Sequence, residues 1–380
     1  MWDGSTWMYD NWHEIASQNI TEIIIPGSHN SGTACLSNDT SNDHGGRLIR
    51  KCAFWFGQSS TYHVAKKWSA CQPWSILEQL QSGLRYLDLR IGVDTNQTLP
   101  SKQLRVCHGF FAESIEMVLQ QVVDFCIVNT NEFVVLDFQK LYFHTVNSSH
   151  SKKDIEQRNL ILVTEIETRL RHYLVSAKTW HMPLSTLQHT RQRVFIFYPV
   201  EKNSASWWRD WMIPRHFVNS VWPNVTGAQF IKERMDLFIR VNEEKKQKIA
   251  ANNTSIRHGA MFVLQGIVTE RPTQVFLGII SSSLTYLSKG WVTFWGYPCS
   301  IEEQSRDVNS TVMGLVEKTY NPSFLNVILL DWANDTNLTQ RIAMLNVAKH
   351  HQEMKPTLGT ILPPVQPAQH KAWVPSILKL

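Results

Sequence analysis

The sequence predicts an α/β fold, an irregular (β/α)8 barrel of the TIM type in a single domain. Three observations predict it: strand-like apolar runs recur along the chain, helical patterns separate them, and several runs end in functional side chains. The runs are TEIIIPG (21–27), LRYLDLRIG (84–92), EFVVLDFQ (132–139), RVFIFYP (193–199), MFVLQGIVT (261–269) and NVILLDWA (326–333). RHFVNSVWPN (215–224) has room for a seventh. Strand and helix in alternation give a parallel sheet, open or closed, and 380 residues suffice for the closed form.

Ile23 to Ile25 form a continuous β-branched run, which suits a strand buried on both faces. Pro26 and Gly27 end it, leaving His29 and Asn30 at the C-terminal tip, where α/β enzymes hold their chemistry. Residues 41–68 read as an extended loop. Ser75 and Glu78 have capping-box spacing, and Gly83 closes the helix that follows. In ESIEMVLQQVVDFC, Ile115, Val118, Leu119, Val122 and Cys126 share one helical face. DIEQRNLILVTEIETRLRHYL and GAQFIKERMDLFIRVNEEKK are two longer amphipathic candidates, and LTQRIAMLNVAKHH (338–351) is a last helix with Asn337 as its N-cap. From about residue 352 prolines dominate, so the chain divides into a barrel (1–350) and a C-terminal tail (351–380).

Hydrophobic content of 43% and charged content of 18% are those of a globular protein. A net charge of +5 excludes a strongly basic nucleic-acid binder and suits an anionic surface. Fifteen tryptophans are many, and those within 204–222 read first as core packing, with an aromatic rim at a membrane or headgroup as the other reading. No stretch reaches the ~18 apolar residues of a membrane span; VFLGIISSSLTYL (275–287) is too short and too polar. The six cysteines lack CxxC spacing, so no zinc site is suggested. The first residues show no basic start and apolar centre of a leader, so the expected location is cytoplasmic with peripheral membrane association. Asn-x-Ser/Thr sequons at Asn19, Asn38, Asn96, Asn147, Asn224, Asn252, Asn253, Asn309, Asn334 and Asn337 keep secretion as the alternative.

The chemistry gathers at strand ends. Asp88 and Arg90, two residues apart, share one face of their strand. An acid and a base on an apolar strand are costly to bury unless paired or used. LRVCHGFF delivers His108, and NVILLDWA ends on Asp331. In a closed barrel the first and last strands are neighbours, so Asp331 reaches His29. Two histidines, an arginine and two carboxylates at one barrel mouth suit phosphodiester cleavage by acid–base catalysis, with the guanidinium neutralising phosphoryl charge.

The segments IPGSHNSGT, EQLQSGLRYLDLRIG, CHGFF, VVLDFQ and LQGIVT resemble the phosphatidylinositol-specific phospholipase C X-domain-containing proteins, of the short type with little beyond the catalytic domain. The resemblance runs from about residue 15 to 350. It implies an irregular (β/α)8 barrel and cleavage of phosphatidylinositol, at a membrane surface, to diacylglycerol and an inositol cyclic phosphate. His29 is then the general base steadied by Asp331, and His108 the general acid. Arg90 with Asn30 holds the phosphate, and Asp88 orients a neighbour. The large eukaryotic members carry calcium-binding acids where this chain has Arg90 and Gln139, so neither metal nor other cofactor is expected. The metal-free bacterial enzymes have arginine at the first position but aspartate where Asn30 stands. Gln139, Tyr198 and Gln265 are candidate substrate contacts, the last two by strand position. Two alternatives stay open: a glycerophosphodiester phosphodiesterase, and a non-catalytic inositol-lipid-binding barrel.

Overall fold

The computed structural model describes residues 2–143, 152–199, 207–225, 227–251, 260–269, 300–322 and 325–353. The proline-rich tail beyond 353 and the apolar run 275–287 lie outside these residues. Ten strands are described: β1 (Ile25–Ser28), β2 (Tyr86–Val93), β3 (Leu104–His108), β4 (Phe110–Ser114), β5 (Val134–Tyr142), β6 (Val194–Tyr198), β7 (Met212–Pro214), β8 (Val218–Ser220), β9 (Met261–Gly266) and β10 (Val327–Leu330). Eight are parallel in the order β7-β6-β5-β2-β1-β10-β9-β8, a curled sheet whose edges, β7 and β8, are adjacent in the chain. β3 and β4 form an antiparallel hairpin added to the end of β2. The fold is thus the expected irregular TIM-type barrel. β7 and β8, three residues each, complete the set that the sequence pattern left short; β8 lies in the 215–224 segment.

The first isoleucine run behaves as its composition dictates. Ile23, Ile24 and Ile25 are fully buried. Ile23 and Ile25 join the cluster inside the barrel, while Ile24 joins the cluster between sheet and helices. Burying such side chains contributes roughly 1.5–3 kcal/mol each. The hydrogen-bonded strand starts only at Ile25 and runs through Pro26 and Gly27 to Ser28, so Pro-Gly lies inside β1 and does not end it. β1 crosses at close quarters between β10 and β2: a Cβ on Gly27 would stand 3.0 Å from Val327 and 3.3 Å from Tyr86. A parallel ladder from Ile25↔Val327 to Ser28↔Leu330 then brings the tips of β1 and β10 level.

The helices follow their signals with two corrections. Ser75 and Glu78 make the reciprocal capping box ahead of Ile76–Gln81, and Ser114 caps Ile115–Val128. The last helix begins at Thr336, so Asn337 is in its first turn and is not the cap; its N–H donates to Asp335 instead (2.9 Å). Residues 44–67 are no extended loop. They form two helices, His44–Phe56 and Gln58–Lys67, separated by Gly57 at φ 84°. Asp43 starts the first by accepting from the Gly46 N–H (2.6 Å). The tryptophans divide: Trp207 and Trp211 are buried, while Trp208 and Trp222 are partly exposed.

Candidate active site

β1 and β10 both turn sharply just past their functional residues. Asn30, after His29, has φ 46°, and Trp332, after Asp331, has φ 48°. Left-handed backbone in non-glycine residues is costly and concentrates at functional sites. The two turns are fastened together from one segment. Gln72 donates to the carbonyls of His29 (3.0 Å) and Leu330 (2.9 Å) and accepts from the Ala333 N–H (3.1 Å). The Cys71 carbonyl accepts from the Trp332 N–H at 2.7 Å.

This scaffold fixes His29. Its Nδ1 lies 2.8 Å from Asp331 Oδ1, and its Nε2 lies 2.9 Å from Arg90 Nη2 and 3.1 Å from the Asn30 amide nitrogen. A guanidinium can only donate, so Nε2 accepts and the ring proton belongs on Nδ1, directed at the carboxylate. That is the tautomer a general base needs: lone pair on Nε2, and the Nδ1 proton directed at the Asp331 carboxylate. Asn309 donates to the Asp331 carbonyl (2.9 Å) and holds that support from behind.

Asp88 is buried beneath the pair. One carboxylate oxygen accepts from the Asn30 N–H at 3.3 Å and stands 3.7 Å from Arg90 and 3.9 Å from His29. His108 arrives from the other side, on the hairpin. Gly109, at φ 74°, makes the turn possible and donates its N–H to Asp43 at 2.8 Å. His108 Nδ1 donates to the Ser69 carbonyl (3.0 Å), which leaves Nε2 for the pocket. The two imidazole rings are 6.3 Å apart. Burial pushes His108 below its ordinary pKa, and the Arg90 charge pushes the same way. The Cys71 thiol lies between Asn30 (3.2 Å) and His108 (3.5 Å).

Next to Arg90 opens a cavity of about 380 Å³, a size suited to a small polar ligand. Gln139 and Gln265 line it. Lys140, Arg215, Ser220 and Trp222 also line it, and sequence reasoning did not single them out as site residues. Arg215 is aimed by a bidentate pair with Asp137 (2.8 and 3.0 Å), which also accepts from the Tyr86 hydroxyl (2.7 Å). Burial raises the Asp137 pKa, opposed by Arg215. Tyr142, whose phenol burial pushes up to about 12, remains a donor at neutral pH. The Trp222 ring stands 5.5 Å from His29 and 5.9 Å from the Arg90 guanidinium.

Tyr198 does not belong to this site. It faces the helix layer, donates to Asn159 (2.9 Å) and packs on Phe138 and Trp207. Side chains alternate along β6, and Phe195 and Phe197 take the inward positions. The other expected residues converge. Asn30 Oδ1, Asp88 Oδ1, Arg90 Nε and Gln265 Oε1 are buried without a protein partner among the described residues. Unpaired buried polar atoms cost about 1–3 kcal/mol each, and four at one mouth call for a polar ligand.

As to metal, ligand atoms of His29, Cys71 and Asp331 lie within 4.8 Å of one another. The Arg90 guanidinium against His29 Nε2 sets a fixed positive charge at that spot, which disfavours a hard cation needing six to eight oxygens.

In fold, the chain is similar to solved phosphatidylinositol-specific phospholipases C. The enzyme from Listeria monocytogenes aligns with 90% of this chain and 99% of its own at a TM-score of 0.53 and 12% identity. An H258Y mutant of the Staphylococcus aureus enzyme aligns with 90% and 96% at 0.54 and 13%. In sequence, the resemblance read from the motifs holds over most of the chain. PI-PLC X domain-containing protein 3 of Danio rerio is 25% identical over 69% of this chain and 73% of its own. Protein 2 of Mus musculus is 26% identical over 69% and 68%. The variant-surface-glycoprotein phospholipase C of Trypanosoma brucei brucei is 28% identical over 51% of this chain, which spans about half (53%) of that relative. No family model matches the chain.

Proposed function

We propose that the protein is a phosphoric diester hydrolase that cleaves phosphatidylinositol, presented at a membrane surface, by metal-independent histidine acid–base catalysis. The observation carrying this reading is His29 held between Asp331 and Arg90 with Nε2 as acceptor, 6.3 Å from a second histidine. The names of the structural neighbours and of the trypanosome relative support it.

In the free protein Arg90 occupies the lone pair of His29. An arriving phosphodiester gives the guanidinium a stronger, charged acceptor and frees Nε2 for the inositol 2-hydroxyl. His29 takes the hydroxyl proton as the oxygen bonds to phosphorus. The phosphorus–glycerol oxygen bond then breaks, and that oxygen receives a proton from His108. The products are diacylglycerol and an inositol cyclic phosphate. Arg90 neutralises charge growing on the phosphoryl oxygens. Asp331 stabilises the imidazolium that His29 becomes. Gln139, Gln265, Lys140 and Arg215 offer donors to the ring hydroxyls, and Trp222 offers an aromatic face.

The test is phosphorus NMR of purified protein with phosphatidylinositol vesicles, in EDTA. The expected result is a cyclic phosphodiester signal appearing with diacylglycerol. Absence of turnover with or without added calcium would overturn the catalytic reading, and turnover only with calcium would overturn its metal independence.

A further inference from the structure

The sequons have no part in the reaction above. Composition alone would supply about a third as many, and a sequon has consequence only in a chain that enters the secretory route. The fold separates the seven whose asparagines are described. Asn38, Asn96, Asn224 and Asn337 are exposed. Asn38 lies in the segment after β1, Asn96 in the turn region between β2 and β3, Asn224 beyond β8 at φ 51°, and Asn337 in the first turn of the last helix. Among the described residues no hydrogen bond is donated by any of these four carboxamide nitrogens. Asn19, Asn309 and Asn334 are only half-exposed. The Asn309 amide nitrogen is committed to the Asp331 carbonyl.

We propose that the folded protein carries N-linked glycans on Asn38, Asn96, Asn224 and Asn337, and so takes the secretory alternative over the cytoplasmic one. An N-glycan is bulky and hydrophilic and is attached at the amide nitrogen, so it needs that nitrogen open to solvent. The four positions meet this need. Asn309 does not: a glycan there would remove the hydrogen bond behind Asp331 and press a sugar against the helix Ile301–Lys318 that carries it. Three of the described cysteines tolerate an oxidising compartment, whereas Cys35 is exposed and Cys52 half-exposed. Cys71, Cys107 and Cys126 are buried, and burial pushes the Cys107 thiol up and that of Cys126 to about 11, so both stay protonated and unreactive. Asn224 lies two residues past Trp222, which places one glycan at the rim of the pocket.

The experiment is site mapping on the full-length protein isolated from its native host. Peptide-N-glycosidase digestion in heavy-oxygen water converts each glycosylated asparagine to labelled aspartate, read by tandem mass spectrometry. Label at two or more of the four positions, with Asn309 unlabelled, is the expected result. Fewer than two labelled positions, or label at Asn309, overturns the proposal. Neither outcome depends on catalysis, so the proposal stands or falls separately from the phospholipase reading.

Discussion

His29 and His108 are the same residue type held in two different ways. His29 sits at the tip of a barrel strand, and barrel closure brings it a carboxylate from β10, an arginine from β2 and a glutamine that fastens its own carbonyl. His108 sits at the turn of an appended hairpin, with one backbone carbonyl on Nδ1 and a thiol nearby. A carboxylate behind the His29 imidazole fixes its Nδ1 proton and leaves Nε2 facing Arg90. Burial, and then the neighbouring Arg90 guanidinium, favour the neutral His108 ring, and the Ser69 carbonyl opposes them. These two settings underlie the proposed division into base and acid.

The largest expected effects break that pairing outright. His29→Ala and His108→Ala should each lower turnover by about 10²–10⁴-fold with the fold retained, the first at some cost in stability because Asp331 loses its partner. A substrate with a good leaving group needs little acid, so it should restore much of the His108→Ala activity and little of His29→Ala. Equal restoration of both variants would show that the hairpin and the strand do not divide the work.

Arg90→Ala comes next, because Arg90 faces both sides: it donates to His29 and lowers the His108 pKa. If it acts as a preorganised oxyanion donor, about 2.7–4 kcal/mol of transition-state stabilisation is lost. Single-turnover rates would show this as a fall in kcat; a change in KM alone would make Arg90 a simple binding group.

A smaller effect tests the asymmetry through pH. Burial and Arg90 hold His108 below the ordinary histidine value of 6.5. The acid must be protonated to act, so kcat/KM should fall as pH rises through a midpoint below 6.5. The unfolded chain binds that proton more readily, so the same group makes folding more favourable as pH rises from the lowered value toward 6.5. His108→Ala should abolish the alkaline limb of the rate profile; a limb that persists in the variant belongs to another group.

Much of this was legible because buried parallel strands announce themselves. Ile23–Ile25, Val134–Leu136 and Val327–Leu330 are apolar on both faces, and polar residues at their ends stand out. Asp88 and Arg90 followed from strand parity, and the meeting of Asp331 with His29 from closure alone. Three-residue strands such as β7 and β8 are too short to carry a period. The helices of 44–67 were hidden by loop-type residues: Gly45 and Gly46 open the first, and Gly57 separates the two. Cys71 and Gln72 lie outside any strand or helix; only the folded chain brings ACQPW against two strand tips. Lys140 follows the end of the β5 run, and Arg215 and Trp222 flank β8 in the 215–224 segment, where a three-residue strand is too short to show which side chains face the pocket.

Tyr198 was misplaced by one step of parity, and that supplies the smallest and most selective prediction. Inside the barrel a tyrosine at this height would meet the ligand. Outside, its hydroxyl serves Asn159 of the helix Lys152–Leu170. Tyr198→Phe therefore removes a buried hydrogen bond and leaves the Asn159 oxygen without its donor, a loss of about 1–3 kcal/mol. The ring itself stays packed against Phe138 and Trp207. Gln265→Leu makes the contrast: its side chain lines the cavity, its amide nitrogen donates to Ser220 at 2.6 Å, and its oxygen is buried without a partner. Urea melts should show the tyrosine variant losing stability with KM and kcat unchanged, and the glutamine variant gaining KM. If Tyr198→Phe raises KM while its stability is unaltered, the strand has the opposite parity and Phe197 would have to face the helices.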